Sequence, residues 1–394
     1  MEKIQLIVEY ETTADEEVLE SIGVIKYRLP IIGACVLEVS VDAAKSLGEL
    51  KCIKAVYETA NILAQQIAPT GYPTGAGVNI AILDTGLCPA ADFTKPTSRL
   101  VAFKDFVNDR DGYYDDNGHG THVTGIACGS GYSSNGLHKG VAIDAGIIAI
   151  KILDEEGRGS SADVLAGLQW VADNKEKYNI RIANLSVGTP DINKFDPLLA
   201  AVEYIWDMGI VVTVAAGNNG PESSTVTSPG SSRKVITVGA FDDDAVSTDA
   251  FGERIKDFSG RGPTKNCIIK PDILAPGSEI ISVRSKGMSI KAHDASKERF
   301  VDDNYLRMSG TSMAAPVVCG AIALMLEKNP ALKPDDIKYA LSQTAVDIHK
   351  DANEQGWGRL DIDQLISWEV ENVREKSIRN STKHKQQRKL TRRF

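Results

Sequence analysis

The chain has 394 residues, 42% of them hydrophobic, enough for one large buried core plus something smaller. Its net charge of −9 is uneven: residues 371–394 carry nine Lys/Arg against two Glu, a net +7, which leaves −16 on the rest. An acidic body disfavours nucleic acid as the main partner. The six cysteines show no CxxC spacing, so reduced thiols fit better than a disulfide framework or a zinc knuckle.

Taken in chain order, residues 1–60 read as βαββαβ. "IQLIVEY" is a predicted strand and "TADEEVLESIG" a helix; "VIKYRL" and "ACVLEVS" are two strands, "VDAAKSLGEL" a second helix and "IKAVYE" a closing strand. That order is the ferredoxin-like split motif, a small α+β module. The acidic opening lacks the basic start and apolar stretch of a signal peptide, so a cytoplasmic location is expected, with export by another route left open. A glycine-rich linker, "APTGYPTGAG", closes residues 61–77.

From Val78 the pattern changes. "VNIAILD", "AGIIAIKIL", "RIANLSVG", "IVVTVAAG" and "KVITVGAF" are short apolar runs, with helical spacing in "SADVLAGLQWVADNKEK" and "FDPLLAAVEYIWDMG" between them. Near-continuous apolar strands alternating with helices predict an α/β domain over 78–370, with a mostly parallel sheet covered on both faces. Ligands in such folds sit at the carboxyl ends of strands. The longest apolar run, Ala314–Leu326, is too short to span a bilayer and reads as a buried helix. The basic stretch 371–394 reads as a disordered, solvated tail.

Three short stretches carry chemistry together. "AILDTG" puts Asp84 at a strand end, "NGHGTHVTG" puts His119 at a helix start, and "GTSMAAP" puts Ser312 just before the longest apolar helix. A serine attacks only when a base takes its proton, and the base is held in the useful tautomer by a buried carboxylate. The pair His119 and His122 lacks the HExxH spacing of a zinc site, and His122 reads as a structural neighbour. Asp115 and Asp116 read as a solvated acidic loop. Cys88, four residues after Asp84, is a minor candidate for a reactive thiol. "LDTGLCPAADF" is neither a GxGxxG nor a P-loop turn, which argues against a nucleotide-binding protein.

The order Asp…His…Ser and all three motifs resemble the subtilisin-like serine proteases, the subtilases. The resemblance covers about residues 61–365. With "DDNGHGTH" and "KPDILAPG" it is most similar to the cytosolic alkaline subtilases of Gram-positive bacteria. It implies a subtilisin-like three-layer fold and a serine endopeptidase in which Asp84, His119 and Ser312 form the triad. "VAAGNNG" is similar to the family's oxyanion segment, which implies an oxyanion role for Asn218, with Ala216 and Gly217 beside the substrate. "NLSVG" and "GRGS" resemble the two substrate-binding strands, so Ser186, Val187 and Gly188, and Gly157, Arg158 and Gly159, carry over. Thr227 falls where the family lines the pocket floor; a neutral residue there implies broad, hydrophobic-to-neutral side chains at P1, the residue before the cut. The resemblance makes 1–60 a propeptide that folds the enzyme and occupies its cleft, cut within "AVYETANI" (55–62). Protein or peptide substrates and the chain's own prodomain are the implied partners, with no membrane span. No cofactor is required for the chemistry. A structural calcium stays open: "GSGYSSNGLHKGVA" offers few carboxylates, and Asp109–Asp116 is the alternative place for a weak site. A regulatory pseudoprotease that keeps its first module in the cleft also stays open, against the presence of every triad residue.

Overall fold

The computed structural model describes residues 3–10, 16–29, 34–40, 43–44, 47, 50, 52–58, 71–189, 196–242, 247–248, 254–255, 257–288 and 300–369. The chain divides into two compact units, 1–72 and 73–394. The predicted tail 371–394 and linker residues 61–70 lie outside the described residues. So does the second half of the predicted processing segment, whose first half is part of a strand.

The first unit is built on an antiparallel sheet of β1 (Lys3–Tyr10), β2 (Val24–Leu29), β3 (Ala34–Ser40) and β4 (Ile53–Glu58), in the order β2-β3-β1-β4. A helix, Glu16–Ile22, joins β1 to β2, and residues 43–44 and 47 are helical between β3 and β4. Alternation along the strands sends Leu6, Val8, Leu37 and Val39 to one face, where they bury against Leu19 and Leu47. Fully burying each such side chain contributes roughly 1.5–3 kcal/mol.

The second unit carries a seven-stranded, all-parallel sheet. Its strands are β5 (Asn79–Asp84), β6 (Leu100–Asp105), β7 (Gly146–Lys151), β8 (Ile180–Leu185), β9 (Val211–Ala215), β10 (Ile236–Ala240) and, after the short antiparallel pair of β11 (Ser247–Thr248) and β12 (Arg254–Ile255), β13 (Ile273–Ala275). The order is β13-β10-β9-β8-β5-β7-β6. Burial of every residue in β9 and β10 shows both faces covered. Helix Thr311–Lys328 packs on β8, β9, β10 and β13 and on helix His119–Cys128; helices Ser161–Asn174 and Pro197–Asp207 pack on each other and on β5, β8 and β9. The two predicted helices begin where local chemistry starts them. Ser160 and Asp163 form a capping box at one start, and Asp196 caps the other ahead of Pro197.

Helix Thr311–Lys328 is long and apolar enough to cross a membrane by composition, but 78% of that stretch is buried inside the unit. The predicted buried helix is therefore the core helix of this sheet. The antiparallel pair of β14 (Ile280–Val283) and β15 (Tyr305–Met308) packs beside helix His119–Cys128. The end of the predicted linker is fixed rather than free. The backbone N–H groups of Thr74, Gly75 and Ala76 donate to Glu327 Oε2 at 2.6, 2.6 and 3.2 Å.

Candidate active site

β5 is an inner strand of the parallel sheet, between β7 and β8, and Asp84 is its last residue. That is the crevice at the carboxyl ends of strands, where such sheets place their chemistry. The Asp84 carboxylate is 1% exposed, and its Oδ1 accepts the N–H of Thr85 and the Nδ1–H of His119, both at 2.7 Å. His119 opens its helix and presents a side chain 24% exposed. The helix reaches Asp84 this closely because residue 120 is glycine: a Cβ there would lie 2.4 Å from the Gly86 carbonyl oxygen and 3.1 Å from Asp84 Cβ.

Ser312 sits in the first turn of helix Thr311–Lys328, after Gly310, whose φ of +148° favours glycine. Its Oγ–H donates to the Ser186 carbonyl at 3.2 Å, and Ser186 Oγ–H returns a bond to the Ser312 carbonyl at 3.0 Å. The bond expected between Ser312 and His119 is thus not the one made here; catalytic hydrogen bonds are often loose without substrate. Asn218 Oδ1 accepts both the N–H and the Oγ–H of Thr311 at 2.9 Å. With the amide oxygen occupied, the NH₂ end is left to face outward, beside Gly310.

His119, Ser312 and Asn218 line one cleft of about 810 Å³, together with Gly157, Arg158, Gly159, Ser186, Val187 and Gly188. Ala216, Gly217 and Thr227 are not lining residues. Thr227 stands behind the wall, where a Cβ on Gly188 or Gly217 would lie 2.2 or 2.8 Å from its Oγ1. Its N–H donates to the Ala216 carbonyl at 3.1 Å, and Ser228 and Pro229 reach the cleft instead. The segment 157–159 follows a turn at 155–156 that Asp154 closes: Asp154 N–H donates to Arg158 O, and Asp154 Oδ1 accepts the N–H of Arg158. Arg158 and Glu156 pair at 2.7 Å, both well exposed, so the rim is close to neutral.

A subtilase-family model matches residues 75–358. The chain belongs to the subtilase family. It is 39% identical over 386 residues to the serine protease AprX of Bacillus subtilis (strain 168), covering 90% of this chain and 86% of that protein. A cold-adapted subtilisin-like serine proteinase overlays with a TM-score of 0.55 at 29% identity, covering 73% of this chain and 88% of that one. Sphericase overlays with a TM-score of 0.58 at 29% identity, covering 73% and 93%. This subtilase is a serine protease of the subtilisin type.

Several residues that hold the subtilase site were read wrongly or missed from sequence. Asp115 is 2% exposed, not solvated: its Oδ1 accepts Thr85 Oγ–H and the N–H groups of Asn117 and Gly118, and its Oδ2 accepts the N–H and Oγ–H of Thr121. Asp116 accepts from the buried Lys151 ammonium at 2.7 Å. From the sheet, Thr213 Oγ–H donates to Asn184 Oδ1, and Asn184 Nδ2 donates to Ser186 Oγ, which fixes the hydroxyl held against the serine helix. His122 is structural, its Nε2–H facing the carbonyls of Ile280 and Leu306 at 3.0 and 3.2 Å. Burial and the nearby His119 push its pKa down to about 3. Burial pushes the His119 pKa down too, but the Asp84 carboxylate, by charge and hydrogen bond, and the Asp115 charge outweigh it and hold it above the ordinary imidazole value.

Subtilases need no cofactor for catalysis. Calcium is common in the family, but several carboxylates near the expected places accept from protein donors. Asp92 takes Ser133 N–H and Tyr305 O–H, Asp105 takes Tyr114 O–H and three backbone N–H groups, and Asp109 pairs with Lys104. Among the described residues no group of three or more His, Cys, Asp or Glu side chains could hold a metal ion. These residues do not fit a carboxylate-rich calcium cage.

Proposed function

We propose that this subtilase is an endopeptidase that cuts internal peptide bonds through an acyl-enzyme and is made as a zymogen. The observation that carries the reading is the 2.7 Å bond from His119 Nδ1 to buried Asp84, in the same cleft as Ser312 and the Asn218 amide. With Nδ1–H committed to Asp84, Nε2 of the neutral ring is the free base. It takes the Ser312 proton as Oγ attacks the scissile carbonyl, and later delivers it to the leaving amine. The Asn218 amide and the Ser312 N–H hold the oxyanion. A peptide lies along 157–159 and 186–188 by main-chain bonds. The neutral Ser228 and Pro229 at the cleft wall and the paired rim charges support broad P1 preference; dominant cleavage after Arg, Lys or Glu in a peptide library would contradict it.

The first unit, a separate fold ahead of the catalytic unit, serves as folding aid and inhibitor, removed by a cut near 55–62. Six unpaired cysteines support action in a reducing compartment such as the cytoplasm. The test follows intact mass and casein hydrolysis for wild type and Ser312→Ala. Loss of the N-terminal unit together with a gain of activity, in wild type only, is expected. Full-length, inert wild type would contradict self-maturation and favour a pseudoprotease or an outside activator.

A further inference from the structure

The triad assigns no role to Lys151, the last residue of β7, which pairs in register with Asp84 and is 0% exposed. Its three ammonium protons meet three acceptors, each at 2.7 Å: the Thr85 carbonyl, the Asp116 carboxylate and the Leu153 carbonyl. These belong to three different pieces of the site. Thr85 follows Asp84, Asp116 belongs to the loop that enters the His119 helix, and Leu153 begins the segment that lines the cleft through Gly157, Arg158 and Gly159. A buried ammonium is costly unless every proton is satisfied, so such complete pairing fixes all three pieces against one point.

Asn117, 3% exposed and a lining residue of the cleft, makes a second strut between two of them. Its Nδ2–H donates to the Glu155 carbonyl and its Oδ1 accepts the His119 N–H, both at 3.1 Å. The backbone adds a third link: the N–H groups of Ile152 and Leu153 donate to the Asp84 carbonyl at 2.9 and 3.2 Å. The segment 153–159 therefore cannot shift without pulling on the Asp84 turn and the His119 helix start.

We infer that Lys151 and Asn117 are positioning residues that convert peptide binding along 153–159 into alignment of Asp84 and His119. The inference rests on the triad reading above. Binding energy from parts of a substrate remote from the reacting bond raises kcat only where it is transmitted to the reacting groups; without transmission it lowers KM alone. A merely structural Lys151 or Asn117 would change stability, or lower all rates by one factor. A transmitting one would change how kcat responds to substrate length.

The experiment compares leucine p-nitroanilide with acetyl-Ala-Ala-Ala-Leu p-nitroanilide on enzyme freed of its N-terminal unit, for wild type, Asn117→Ala, Lys151→Met and Ser312→Ala. Variants that do not process themselves are cut by affinity-tagged wild type that is then removed. In wild type, extension is expected to raise kcat about 10-fold or more as well as lower KM. In Asn117→Ala and Lys151→Met most of the kcat gain should vanish while KM still falls with length. Where Lys151→Met fails to fold, Asn117→Ala, a small change at the cleft wall, decides. The same kcat gain in variants as in wild type, or no kcat gain in wild type, would overturn the inference. Activity surviving in Ser312→Ala would instead overturn the triad reading beneath it.

Discussion

At the scale of single residues, the proposed mechanism depends on a proton held at one nitrogen and a dipole held at one amide. His119 works as a base only when neutral, so kcat/KM should rise as pH climbs through its pKa. Asp84 raises that pKa. In Asp84→Asn the acidic limb of kcat/KM should therefore move to lower pH, with a rate loss on the order of 10⁴-fold; a limb that stays in place would contradict the assigned pair. Asn218→Ala should cost roughly 100–1,000-fold in kcat with little change in KM, the scale known for such a donor in subtilisin. A KM effect alone, read from the same steady-state curves, would mean that the amide binds substrate rather than the transition state. The four principal residues were legible because each sits in a short glycine-bearing motif whose chemistry is local. Lys151 and Asp115 were not. A charged residue reads as surface, and the partners that bury them come from segments well apart in the chain, such as Thr85 for both.

At the scale of elements, the helix His119–Cys128 is held at its start by a side chain outside it. Its N-cap is Gly118, which offers no side-chain cap, and Asp115 supplies that function from three residues upstream. Asp115→Ala should lower unfolding free energy by about 3 kcal/mol, since it strands several buried donors at once. Denaturant melts check this, and a loss below about 0.5 kcal/mol, the scale of a surface change, would contradict the capping role. The strands named from sequence are those buried on both faces, where apolar runs are nearly unbroken. β6 and β13 escaped. β6 is an edge strand with mixed burial, and β13 is an edge strand of three residues, so neither shows a long apolar run. The antiparallel sheet of the first unit was more legible because alternation marks a half-buried strand directly.

At the scale of the whole molecule, two units each carry their own sheet, and no disulfide contributes to either, all six cysteines being unpaired. Thermal midpoints should be the same with and without a thiol reductant, measured by calorimetry; a lower midpoint under reduction would mean that a cross-link forms in solution. The acidic balance of the body bears on solubility and partners, not on fold. The fold class was readable because alternation of strands and helices is a property of the entire chain, whereas the fixed end of the linker depends on Glu327, some 250 positions away.

In the proposed mechanism Ser312 is the activated nucleophile of this cleft. The most direct measurement treats enzyme freed of its N-terminal unit with a fluorophosphonate and locates the adduct by peptide mass spectrometry, His119→Ala being cut beforehand by affinity-tagged wild type that is then removed. Labelling at Ser312, blocked in His119→Ala, is the expected result. Labelling at another serine, or equal labelling of Ser312 without His119, would contradict it.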